Sequence, residues 1–149
     1  MQQTVYKVIG VVLVLYSLIF GLLTSIPDLP IIEESIRNLF YHVSMWFAMV
    51  AMMAGSFAYS IAFLRKENLY TDRRTAALSE TGMLFAFLGL FTGMIWARFT
   101  WGAWWTNDPK LNGSAITILI YLAYFILRNG IEDERKKQES APYTTFSPL

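Results

Sequence analysis

The stretch Trp101-Gly102-Ala103-Trp104-Trp105-Thr106-Asn107-Asp108-Pro109-Lys110 holds three of the chain's five tryptophans, with Trp96 and Phe99 just ahead of it. Apolar runs lie on both sides, Thr81 to Ala97 before it and a run ending near Leu127 after it. The stretch is therefore expected at a membrane surface. A single tryptophan there needs no more than the aromatic belt, because an indole is amphipathic and settles at headgroup level. Three within five residues, closed by Asp108 and Lys110, make a broad aromatic surface with charged groups at its rim. Such a surface suits a large planar ligand with an apolar face and acidic substituents.

Composition agrees with a membrane setting. Of 149 residues, 55% are hydrophobic and 15% are charged, against about a quarter charged in soluble domains. The length fits a single domain, 1–149. The net charge of +1 says little, and nothing points to nucleic acid. The chain has no cysteine, which excludes a thiol redox site, a cysteine zinc site and a C-x-x-C-H haem attachment within it. Noncovalent haem binding is not excluded.

Four spans are expected, giving an all-α polytopic membrane protein with an external tryptophan-rich loop. The first, about 8–26, is 19 uncharged residues, enough for a bilayer core of about 30 Å. It is too long for a signal-peptide core and lacks an A-x-A site, so it reads as an uncleaved helix. Pro27 and Pro30 end it, and Glu33, Glu34 and Arg37 follow. The second span, about 39–64, contains the only histidine, His42. Arg65-Lys66-Glu67 and a polar loop through Asp72, Arg73 and Arg74 lead to the third span, about 76–97, with Glu80 in its first turns. Gly82, Ala86, Gly89, Gly93 and Ala97 form a small-residue stripe there, which reads as helix–helix contact. The tryptophan stretch, 98–112, forms a loop or short interfacial helix, and the fourth span is about 111–127. A charged tail, 128–149, is expected to be loosely ordered from Ser140 onward.

Orientation follows from the basic residues. One side carries Lys7, Arg65, Lys66, Arg73, Arg74, Arg128, Arg135, Lys136 and Lys137; the other carries Arg37, Arg98 and Lys110. The first side, with both termini, is expected to be cytoplasmic. His42 and the tryptophans then share the external face.

An ionisable residue within a span is a functional candidate by default. His42 reads either as an axial ligand of haem iron through a neutral imidazole nitrogen or as an interhelical hydrogen-bonding residue. The tryptophans would hold the porphyrin face. Arg98 and Lys110 are candidate partners for its propionates, although Arg98 also reads as a helix-end anchor and Lys110 as a snorkelling side chain. Met45, Met49 and Met52 follow His42 at helical spacing, so a His/Met path for Cu(I) is a rival; methionine is also a common gap-filler. No Walker-type loop, paired buried carboxylates or hydrolase constellation is present, and no bond-making enzyme is expected. A structural or assembly subunit of a membrane complex, without bound haem, is the other alternative.

The pattern Trp101-Gly102-x-Trp104-Trp105-x-x-Asp108, between two membrane helices, resembles the tryptophan-rich signature of the cytochrome c assembly family. The likeness is greatest to its haem exporter protein C (CcmC) group, and it covers nearly the whole chain. Tyr41-His42-Val43 is similar to that family's haem-ligand segment. Asn107 stands where the signature often has another tryptophan, and Ser44 where a proline is common. The resemblance implies noncovalent haem b held at the outer face of the bacterial cytoplasmic (inner) membrane. It implies transfer to a periplasmic haem chaperone beside ABC-transporter subunits, in cytochrome c-type biogenesis. By it His42 is the iron's axial ligand, and Trp101, Gly102, Trp104, Trp105 and Asp108 form the platform. Against the family's usual six spans and second external histidine, the resemblance implies either that this sequence lacks two C-terminal helices or that a second ligand comes from elsewhere.

Overall fold

The structure, a computed structural model, describes residues 2–26 and 33–140, with side chains for 3–26 and 35–131. The Pro27–Pro30 stop and the tail from Ala141 lie outside the described residues. The protein is all-α. Its helices are α1 (Gln2–Leu23), α2 (Arg37–Arg65), α3 (Leu69–Trp101) and α4 (Pro109–Ser140), with a short 3₁₀ turn at Glu33–Ile36. All four helices are long and apolar enough to cross a membrane.

The helices outrun the apolar spans. The loop expected between the second and third spans shrinks to residues 66–68. Asn68 caps α3 by accepting the Tyr70 N–H at 2.9 Å, so the chain is helical seven residues before the expected start of the span. The charged residues there are used on the helix surface. Asp72 receives a two-pronged bond from Arg128 of α4, at 2.9 and 2.5 Å, and Arg74 lies over the Tyr70 ring. Apolarity marks the slab a helix crosses, not where its hydrogen bonding stops. For the same reason α4 runs on past Leu127, through Arg128.

At the opposite end the connection narrows from 98–112 to 102–108. Gly102 adopts φ 78°, the left-handed conformation that ends a helix, and donates its N–H to the Arg98 carbonyl at 3.2 Å. Asp108 then caps α4, with Pro109 in the first helical position.

α2 and α3 form the central antiparallel pair. The small-residue stripe is their contact, and each glycine of α3 receives one side chain of α2. Gly82 faces Met53, Gly89 faces Trp46 and Gly93 faces His42, all so close that a Cβ would meet them at 2.9 to 3.2 Å. Further along, Ser56 donates to the Thr75 carbonyl at 3.0 Å and bonds the Ser79 hydroxyl at 2.7 Å, all three buried. α4 closes a small apolar cluster of Met83, Ala86 and Ile118, with Met49 and Met53 packed against it. α1 stands apart, exposed along nearly its whole length. It is moored near its C-terminal end, where Arg37 donates to the carbonyls of Gly21 and Thr24 at 3.3 and 2.5 Å and Tyr41 donates to Leu18 at 3.0 Å.

Candidate functional site

The start of α2, the end of α3 and the start of α4 meet at one end of the bundle around a mostly apolar cavity of about 540 Å³. That volume lies within the usual range for small-molecule sites, about 300–1,000 Å³. Of the site residues expected from the sequence, His42, Trp101, Asp108 and Lys110 line it. Trp46, Trp96, Gly93 and Thr100 line it as well.

His42 lies deepest. Its imidazole fits against Gly93 because that residue has no side chain, with Cε1 only 2.9 Å from where a Cβ would be. Nδ1 is 3.1 Å from the Thr92 hydroxyl, and Nε2 accepts the Trp46 indole N–H at 3.2 Å. The rings of Trp46 and Trp96 stand edge-on to it at 6.1 and 5.9 Å. Thr92 is fixed in turn, because its carbonyl receives the Asn38 amide at 2.7 Å. Among the described residues, no three His, Asp or Glu side chains cluster to hold a bare metal ion.

Trp101, the last residue of α3, lies eight residues beyond Gly93, about 12 Å along the helix axis. The cavity therefore runs from the imidazole up to the tryptophan end. Trp104 and Trp105 sit in the connection, 53% and 43% exposed, and do not line the cavity. Asp108 serves the start of its own helix, where its Oδ1 accepts the backbone N–H groups of Lys110 and Leu111 at 2.8 and 3.3 Å. Lys110 is exposed at the cavity's rim. Arg98 is outside the cavity, and its guanidinium bonds the Gly102 carbonyl, which favours a helix-end role. Met45, Met49 and Met52 are also outside it, and Met49 packs in the apolar cluster.

Sequence reading passed over Thr92, Trp46, Trp96 and Thr100. The signal for Trp46 was present, since His42 and Trp46 are spaced i, i+4 and so share a face. Thr100 is notable for a buried hydroxyl with no hydrogen-bond partner among the described residues.

The family described as Heme exporter protein C matches the chain over residues 1–145. Similar curated proteins carry the same name. One from Bradyrhizobium diazoefficiens is 30% identical over 113 residues, 75% of this chain and 43% of the relative. One from Paracoccus denitrificans is 27% identical over 116 residues, 78% and 47%. One from Escherichia coli K12 is 27% identical over 106 residues, 68% and 42%. The chain thus spans under half the length of these relatives. No solved structure matches it. With nearly its whole length matched, the chain belongs to the Heme exporter protein C family, a multi-pass membrane protein family in keeping with its four long apolar helices.

Proposed function

We propose that this chain is a haem-handling membrane protein of cytochrome c biogenesis, with noncovalent haem b as its cargo. It presents haem at the external face of the bacterial cytoplasmic membrane for a periplasmic haem chaperone, beside ABC-transporter subunits. It acts as a carrier and not as a bond-making enzyme. The observation that carries this reading is the continuous cavity joining the chain's one imidazole to the tryptophan end of α3.

The donor set fits haem better than a bare ion. A neutral imidazole is an ordinary ligand for haem iron, and a porphyrin supplies the remaining equatorial donors itself. The apolar walls suit its faces. Lys110 and the Thr100 hydroxyl, which has no partner among the described residues, suit its acidic edge. In this reading His42 is the axial ligand and Trp101, Trp104 and Trp105 are the outer aromatic platform. Gly102 and Asp108 set the ends of the helices that carry it. Arg98 has the weaker claim on a propionate, because its guanidinium is already engaged. Orientation follows the basic residues, with both termini cytoplasmic and the cavity external. Membership of the family favours this reading over a haem-free structural subunit.

The test is a visible spectrum of the detergent-purified chain titrated with ferric haem, then reduced. A saturable Soret band that is shifted in His42→Ala and weakened in Trp104→Ala is expected. No band from a demonstrably folded chain would refute haem handling by this part of the family's sequence.

A further inference from the structure

Both nitrogens of the His42 imidazole are engaged, and the two bonds differ in kind. The Thr92 hydroxyl has one proton, directed to carbonyls of its own helix at Leu88 and Gly89, 2.8 and 3.0 Å away. Its oxygen therefore receives the His42 Nδ1–H at 3.1 Å. An indole nitrogen can only donate. The Trp46 Nε1–H, 3.2 Å from His42 Nε2, therefore lies on that nitrogen's lone pair. The two bonds select one neutral tautomer, with the proton on Nδ1. The Thr92 bond is of the type that orients a metal-ligating imidazole. The Trp46 bond is one that a metal has to displace.

We propose that Trp46 is a latch on His42: its indole N–H covers the only imidazole lone pair in the chain, and the ring moves aside when haem iron is captured. The proposal rests on the reading of His42 as the iron's ligand. The surroundings allow the motion. Trp46 is one turn from His42 on the same face of α2, and both line the cavity. The indole lies over Gly89, with Cε2 and Nε1 at 3.2 and 3.3 Å from the Cβ position, so no side chain of α3 fences it there. Trp96 keeps its edge contact with the imidazole from the other helix. Thr92 holds the ring's aim whether the latch is closed or open. A closed latch makes the imidazole a weaker ligand by the net strength of one hydrogen bond, about 3- to 10-fold. That moderation suits a protein that passes its cargo on, and it returns a donor to Nε2 at release.

The chain has one histidine, so histidine-selective ¹⁵N labelling of the full chain in detergent gives one pair of ring signals. Without haem, at a pH where the ring is neutral, Nδ1 should carry the proton and Nε2 should show a hydrogen-bonded lone pair. Trp46→Phe keeps an aromatic ring and removes the N–H. It should move the Nε2 signal toward that of a free lone pair and leave Nδ1 in place. In stopped-flow mixing with ferric haem, the same variant should bind about 3- to 10-fold more tightly than the parent. A proton on Nε2 in the parent spectrum overturns the latch, whether or not the variant folds. So does tighter binding that fails to appear in Trp46→Phe while His42→Ala is impaired; weaker binding would make Trp46 part of the platform. A His42→Ala variant with an unchanged haem spectrum removes the ligand reading itself, and the latch with it.

Discussion

Gly93→Ala offers the sharpest check on the geometry of the site, with Gly82→Ala as its control. In each case the added methyl would lie 2.9 Å from an atom of α2, His42 Cε1 or Met53 Cε. The neighbours differ in their freedom to give way. The imidazole is held at both nitrogens, by Thr92 and Trp46. The methionine side chain has three rotatable bonds and repacks readily. Alanine gains about 1 kcal/mol over glycine inside a helix, and overpacking costs about 1–3 kcal/mol. Gly93→Ala is therefore expected to destabilise by up to about 2 kcal/mol. Gly82→Ala should stay within about 1 kcal/mol of the parent. Equilibrium unfolding in mixed micelles, followed by circular dichroism, measures both. A ring pushed from Thr92 is also a poorer ligand, so Gly93→Ala should lose about tenfold in ferric haem affinity, equivalent to about 1.4 kcal/mol. Gly82→Ala should bind as the parent does. Two variants alike in both assays would show that the imidazole is not confined as described.

Thr92→Val removes the acceptor that orients His42 and should weaken haem binding about 10- to 100-fold, while Thr92→Ser should restore most of it; a titration at the Soret band reads both. Asp108→Ala should cost about 1 kcal/mol of stability through loss of the α4 cap, and Asp108→Asn should restore it. If the carboxylate charge also serves the cargo, Asn will rescue unfolding but not haem affinity. Asp72→Asn disrupts the pairing with Arg128 at the far end of the bundle, and unfolding should show a loss of about 1 kcal/mol with haem affinity unchanged.

Hydropathy made the four helices and their order legible, because a bilayer demands about 20 apolar residues in a row and leaves few other solutions. It located the slab and not the helix ends, which depend on caps such as Asn68 and on the left-handed Gly102. The glycine stripe announced a contact on α3. What each glycine receives depends on the register of α2 against α3, which no local pattern encodes. His42 and Trp101 were recognisable from residue type and shared membrane face, and one cavity joins them. Thr92 was not recognisable, since a threonine in a span usually serves its own helix, and only the distance to His42 gives its hydroxyl a partner on another helix. Arg98 was ambiguous because a charge at a helix end has two uses, and the Gly102 carbonyl supports the structural one.

α1 is 22 residues long and, among the described residues, is fastened near one end, through Arg37 and Tyr41. A rod held in this way takes its angle from the bilayer, tilting further as the hydrocarbon layer thins. An added tilt of about 10° moves the far end of a helix about 30 Å long by about 5 Å. The reaction to that leverage falls on Arg37 and Tyr41, in the opening turns of α2, and the next residue in the chain is His42. A change in lipid thickness would therefore be taken up first by those bonds at the opening turns of α2.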